Sequence, residues 1–158
     1  MRRAKSVSDS RVIMTQLVLP SHTNALGSIF GGTIMSWIDI AAAIAAGRHC
    51  NRQVVTASID SLSFVAPVYT GWVVNLKASV NYVARTSMEV GVRVDAENPK
   101  TNQTFHTSSA YLTFVSISDD GKPMEVPELI LTDETDIRRF EAGKRRRELR
   151  LSTKATQL

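Results

Sequence analysis

The sequence predicts an α+β domain in which a long antiparallel sheet wraps around one central helix, with a charged helix after it. Three observations carry that expectation. One stretch, 33–46, is apolar at helical spacing. Several later stretches alternate apolar and polar residues with period two. The last stretch, 133–151, is charged and only weakly apolar.

The elements follow in order. Residues 1–10 are polar and expected to be flexible. Residues 11–19 are apolar-rich, end at Pro20 and read as a first strand. A turn-rich loop, 21–28, leads to Gly31-Gly32. In the helix, Ile34, Trp37, Ile38, Ala41, Ile44 and Ala45 recur at helix spacing, and Ala42, Ala43 and Ala46 fill the other face. A helix apolar nearly all round must be wrapped by protein on most sides. Gly47 and Arg48 supply its stop. Met35, Trp37 and Ile38 read as core more readily than as tunnel lining.

The rest reads as strands. Residues 54–65 are β-branched and end before Pro67. Over 72–85, Trp72, Val74, Leu76, Ala78, Val80 and Tyr82 alternate with polar residues. Over 87–97, Met88, Val90, Val92 and Val94 alternate with Glu89, Arg93 and Asp95. Residues 98–102 form a turn, and 103–118 a last long strand. Ile137, Phe140 and Leu151 are the packing residues expected of the final helix. Alternating strands need one face covered, and only one helix is apolar enough to cover it. The other face and any edge strand become candidates for dimer contacts. The expected division is a flexible N-terminus over 1–10, the main domain over 11–131, and a basic helix and tail over 132–158.

Composition narrows the function. A chain of 158 residues suits one domain with a real core. The net charge is +4, and residues 133–158 hold eight Lys/Arg against five Asp/Glu. The run Lys144-Arg145-Arg146-Arg147 is flanked by acids, so a solvated helix face or a phosphate contact outweighs a nucleic-acid surface. The single cysteine, Cys50, cannot form an internal disulfide and reads as a packed thiol. No Cys/His cluster has zinc-ligand spacing, so neither metal nor cofactor is expected. The basic start is followed by no apolar run, and no window approaches the length of a membrane helix. A cytoplasmic protein is expected.

Asp39 is the only ionisable residue between Thr23 and Gly47. A carboxylate on an apolar helix is costly unless it has a partner or a use. The structural reading is a partnered Asp; the functional one is a reactive carboxylate in a dry cleft. Gly31-Gly32 permits close backbone approach and leaves helix-start N–H groups free to hold a developing oxyanion. The signal is the ordered set Asn24, Gly31-Gly32, Asp39. No GxSxG elbow, P-loop or GxGxxG is present. Of three histidines, His22, His49 and His106, only His22 in the loop before the helix is a candidate site-lining residue.

The run from Pro20 to Gly32 resembles the pre-helix loop of the hotdog acyl-CoA hydrolases, both the small bacterial enzymes and the tandem-domain brain acyl-CoA hydrolase. The helix Ser36-Trp37-Ile38-Asp39 is similar to their helical Asp motif. Arg48-His49-Cys50, Val54-Val55-Thr56-Ala57-Ser58, Phe64 with Pro67 and Gly71, Arg85-Thr86-Ser87-Met88-Glu89-Val90 and Phe114-Val115 extend the likeness over about residues 10 to 150.

The resemblance implies a hotdog fold, a homodimer as the smallest active unit, and trimers of dimers. It implies hydrolysis of acyl-CoA to CoA and a free acid. The catalytic Asp falls on Asp39, as general base or as nucleophile. Its partner from the other subunit falls on Asn24. The carbonyl-binding amides fall on Gly31 and Gly32, and the CoA loop on Arg85, Thr86 and Ser87, with Thr56 a candidate for lining the site. Ala84 departs from the Gly that relatives often carry. A hotdog dehydratase or hydratase would use a His, and none lies within 33–46. A non-catalytic acyl-CoA sensor would have no reason to carry Asp39.

Overall fold

The computed structural model describes residues 3–156. Met1, Arg2, Gln157 and Leu158, which belong to the N-terminal and tail expectations, lie outside the described residues. The strands are β1 (Ala4–Ser6), β2 (Val12–Leu17), β3 (Gln53–Phe64), β4 (Val73–Val83), β5 (Ser87–Asn98), β6 (Gln103–Ile117) and β7 (Glu128–Ile130). The helices are α1 (Val7–Ser10), α2 (Gly31–Cys50) and α3 (Glu134–Thr156). Five strands form one antiparallel sheet in the order β2-β4-β5-β6-β3. The sheet wraps α2, and α3 lies on its outer face. The predicted α+β hotdog architecture is therefore present.

Period two builds the core. Val74, Leu76, Val80, Val90, Val94, Leu112 and Phe114 are all buried against Ile34, Ile38, Ala41, Ala42, Ala45 and Ala46 of α2. Small alanines let the helix lie close in the sheet's concavity. The helix runs longer than Gly47-Arg48 suggested. Its last residue is Cys50, and Asn51 caps it in the left-handed conformation at φ 54°. His49 therefore lies on the helix, fully buried, with Nε2 donating to Pro127 O at 2.8 Å. Cys50 is a buried free thiol.

Three expectations change. Residues 4–10 are not loose: β1 pairs with β7, Val7 is buried, and buried Ser10 accepts from Val80 N–H at 3.0 Å. A bulge between Val80 and Tyr82 turns Tyr82 to the outer face, where its ring packs on Phe140 at 4.9 Å. Ile137 and Leu151 are exposed, so α3 docks through Phe140, Gly143 and Arg146 instead. A Cβ on Gly143 would meet Tyr82 Cβ at 2.9 Å, which shows how closely α3 lies on the sheet.

α2 is not wrapped on all sides by its own chain. Ile40 and Ile44, one turn apart, are exposed on one face, and Met35 is exposed one turn before Asp39; Val55 and Ile59 of edge strand β3 are exposed as well. Of the three helix residues read as core, Trp37 and Ile38 are buried and Met35 is not.

Candidate active site

Asp39 sits on the border of this open face and is only partly buried. Thr56 Oγ1 donates to Asp39 Oδ1 at 2.7 Å. The β3 register shifts between Thr56 and Ser58, so one extra residue re-aims the strand beside the helix. Oδ2 has no hydrogen-bond donor among the described residues. The carboxylate is thus oriented by one oxygen and free at the other.

The pre-helix loop is shaped by its own side chains. Asn24 Oδ1 accepts from Leu26 N–H at 2.9 Å and Ser28 N–H at 3.3 Å, and Asn24 Nδ2 lies 3.0 Å from Ser28 Oγ. His22 Nδ1 accepts from Leu19 N–H at 3.0 Å, and the ring stands edge-on to Trp37 at 5.1 Å. His22 therefore braces the loop against α2.

Phe30 is the N-cap of α2, in extended conformation with no side-chain cap. Phe30 O accepts from Thr33 and Ile34, which leaves the Gly31 and Gly32 N–H groups without partners among the described residues. They form a donor pair at the positive end of the helix.

Eight residues separate Gly31 from Asp39, which at the α-helical rise is about 12 Å. A bond-forming carbonyl at those amides is out of reach of the same chain's Asp39. The candidate residues thus fall into two groups, the half-sites of the candidate site: Asn24, Gly31 and Gly32 about the helix start, and Asp39 with Thr56 further along the helix. Leu26, Phe30 and Phe64 are exposed around the first half-site, and Met35 is exposed one turn before Asp39 at the second.

The Arg85-Thr86-Ser87 turn belongs with the second half-site. Ser87 pairs with Val115, which pairs with Val55, so the turn lies two strands from Thr56, or about 10 Å. It is pinned by its backbone: Ala84 N–H donates to Ser87 O at 2.8 Å, Ser116 N–H to Thr86 O at 3.0 Å, and Val126 N–H to Arg85 O at 2.9 Å. The Arg85 side chain is exposed. Among the described residues no group of three or more His, Cys, Asp or Glu side chains could hold a metal, and no helix is long and apolar enough to cross a membrane.

The chain as a whole is similar to known proteins in sequence and in fold. Residues 26–102 match the family model described as the thioesterase superfamily. The chain is 40% identical over 129 residues to the uncharacterized acyl-CoA thioester hydrolase YkhA of Bacillus subtilis, covering 82% of this chain and 75% of that one. A hexameric acyl-CoA thioesterase solved in its apo form superposes with a TM-score of 0.93 at 41% identity, covering 97% and 98% of the two chains. An acyl-CoA hydrolase of Staphylococcus aureus, solved with butyryl-CoA, CoA and CoA disulfide, superposes at 0.90 with 36% identity, covering 98% and 94%. That enzyme has also been solved with an aspartate, an asparagine and a threonine each replaced by alanine.

Proposed function

Because this chain belongs to the acyl-CoA thioester hydrolases of the thioesterase superfamily, we propose that it hydrolyses acyl-CoA to CoA and a free carboxylic acid, at a site completed by a second copy of itself. The observation that carries this reading is the separation of the two half-sites along one open helix face. An isologous dimer brings one copy's Asp39 to the other copy's helix start. The three replaced residues of the Staphylococcus aureus enzyme are spaced along its chain as Asn24, Asp39 and Thr56 are spaced here, which supports their shared role.

In this reading the thioester oxygen accepts from the Gly31 and Gly32 N–H groups, which hold the negative charge that develops on it. The partner copy's Asp39 acts through its free Oδ2. As a general base it takes a proton from water while the water oxygen attacks the carbonyl carbon. As a nucleophile it attacks directly, and water then opens the anhydride. In both routes the C–S bond breaks and CoA leaves as the thiol. Thr56 fixes the carboxylate through Oδ1. Asn24 orients the water or the carbonyl, and His22 holds the loop. The exposed Arg85, with Thr86 and Ser87, meets the CoA phosphates. The chemistry needs no metal or cofactor. The dimer is the smallest active unit, three dimers form the hexamer, and the protein works in the cytoplasm.

The test is release of free CoA thiol from acyl-CoAs of two to sixteen carbons, with wild type beside Asp39→Asn. Turnover that collapses in the variant supports the assignment. Binding without turnover in wild type moves the protein to an acyl-CoA sensor. The shared site has its own test. Co-assembled Asn24→Ala and Asp39→Ala chains should recover about a quarter of wild-type activity, because half the random dimers hold one intact site. No recovery would put both residues in one copy's site.

A further inference from the structure

Resting on the thioesterase reading above, we propose that Phe64 sets the acyl-chain length this enzyme accepts, by roofing a short apolar pocket beside the helix-start amides. The pocket has a volume of about 300 Å³, and its lining includes Ile29, Gly31, Ile34, Phe64, Ala66 and Val68. Its floor is rigid. Ile34 is 1% exposed and Val68 0%, and Ile29 N–H donates to Val68 O at 2.7 Å. Its roof is not. Phe64 ends β3 with 49% of its surface open and Val65 beside it has 69%, and Phe64 is the larger of these two exposed wall groups.

Gly31 ties this pocket to the reacting centre. A Cβ on Gly31 would lie 3.3 Å from Phe64 Cε2, so the ring leans directly over the residue whose N–H is free. A thioester oxygen held at that N–H starts its acyl chain at the mouth of this pocket. The space equals that of about ten waters, and a methylene is close to a water in size, so chains of up to roughly eight to ten carbons fit. Each methylene buried there strengthens binding about fourfold, and each one beyond the pocket must displace Phe64. Alanine at position 66 keeps the side wall shallow.

The experiment measures kcat/KM for acetyl- through palmitoyl-CoA with wild type, Phe64→Ala and Ala66→Leu. Ratios are taken within each variant, so a change in the amount of folded or assembled enzyme cancels. Wild type should peak at or below about ten carbons. Phe64→Ala should raise the palmitoyl-to-butyryl ratio at least about tenfold, and Ala66→Leu should lower the octanoyl-to-acetyl ratio by a similar factor. A wild-type preference for palmitoyl-CoA, or a chain-length profile unchanged in both variants, overturns the proposal while leaving the thioesterase standing. No hydrolysis of any acyl-CoA by wild type overturns the thioesterase reading and this one with it.

Discussion

Two carboxylates on opposite sides of the sheet live under opposite conditions. Glu89, on the outer face beneath α3, is 4% exposed. Its Oε2 accepts from Arg146 Nε at 3.0 Å, and its Oε1 from Arg146 Nη2 at 2.7 Å and Asn81 Nδ2 at 3.2 Å. The same guanidinium lies 3.6 Å from the centre of the Tyr111 ring. Burial alone would lower the Arg146 pKa, but the Glu89 bonds and charge outweigh it and hold it above its ordinary value. Asp39, on the open face of α2, has one donor and one spare oxygen. Glu89 spends its hydrogen-bonding capacity within the chain; Asp39 does not. The more buried carboxylate is the structural one. Under the proposed function, unspent capacity beside uncovered apolar surface marks the reactive one.

Exchanging each for alanine should separate the two roles. Asp39→Ala should cut turnover at least about a hundredfold, as loss of a general base does, while its stability to urea stays within about 0.5 kcal/mol of wild type. Glu89→Ala leaves Arg146 of α3 without its counter-charge and should cost about 3 kcal/mol. Its turnover per folded molecule should stay within a factor of about three. Both unfolding curves need one protein concentration, because assembly adds to apparent stability. The distinction collapses if Glu89→Ala loses turnover as severely as Asp39→Ala at unchanged stability.

Thr56 sharpens the claim about Asp39. Thr56→Ala removes the one donor that fixes the carboxylate and should lower kcat about tenfold with KM nearly unchanged. Thr56→Ser keeps the hydroxyl and should recover most of the loss. Equal damage from Ser and Ala would mean that the methyl group, not the hydrogen bond, matters.

The same contrast explains what the sequence made legible. Asp39 and Gly31-Gly32 stood out because each breaks the composition of its surroundings, a charge in an apolar helix and a paired glycine at a helix start, whereas Asn24 stood out only through its order before them and the family resemblance. The central helix and the four long strands were legible because their periods differ. Glu89 read as part of a solvated strand face, because period two puts it outside and nothing local shows that α3 covers it. That cover depends on Gly143, whose missing side chain matters only once the helix lies on the sheet. The Thr56–Asp39 bond depends on a bulge that alternation does not reveal. Tyr82 changed faces for the same reason. The helix end was misplaced because glycine at 47 competes with asparagine at 51, and Asn51 takes the left-handed cap.

His49 extends the comparison to a group buried without charge, and it carries the smallest expected effect. Its Nε2 donates to Pro127 O, and Nδ1 has no partner among the described residues. Burial lowers its pKa below 6.5, the Pro127 bond opposes that shift, and the Lys5 charge adds to it. The folded state therefore prefers the neutral ring. Below pH 6.5 the unfolded chain binds the proton first, so the stability His49 contributes is complete above that pH and is lost as pH falls toward the depressed folded value. The thermal midpoint of wild type should drop between pH 7 and pH 5. His49→Met, which cannot titrate, should show a shallower drop while retaining its dependence on Asp39 for turnover. Parallel pH curves for the two proteins would assign the acid sensitivity to other groups. A shallower curve would place at the far end of α2 a residue that senses pH through stability alone, ten positions from the one proposed to carry the chemistry.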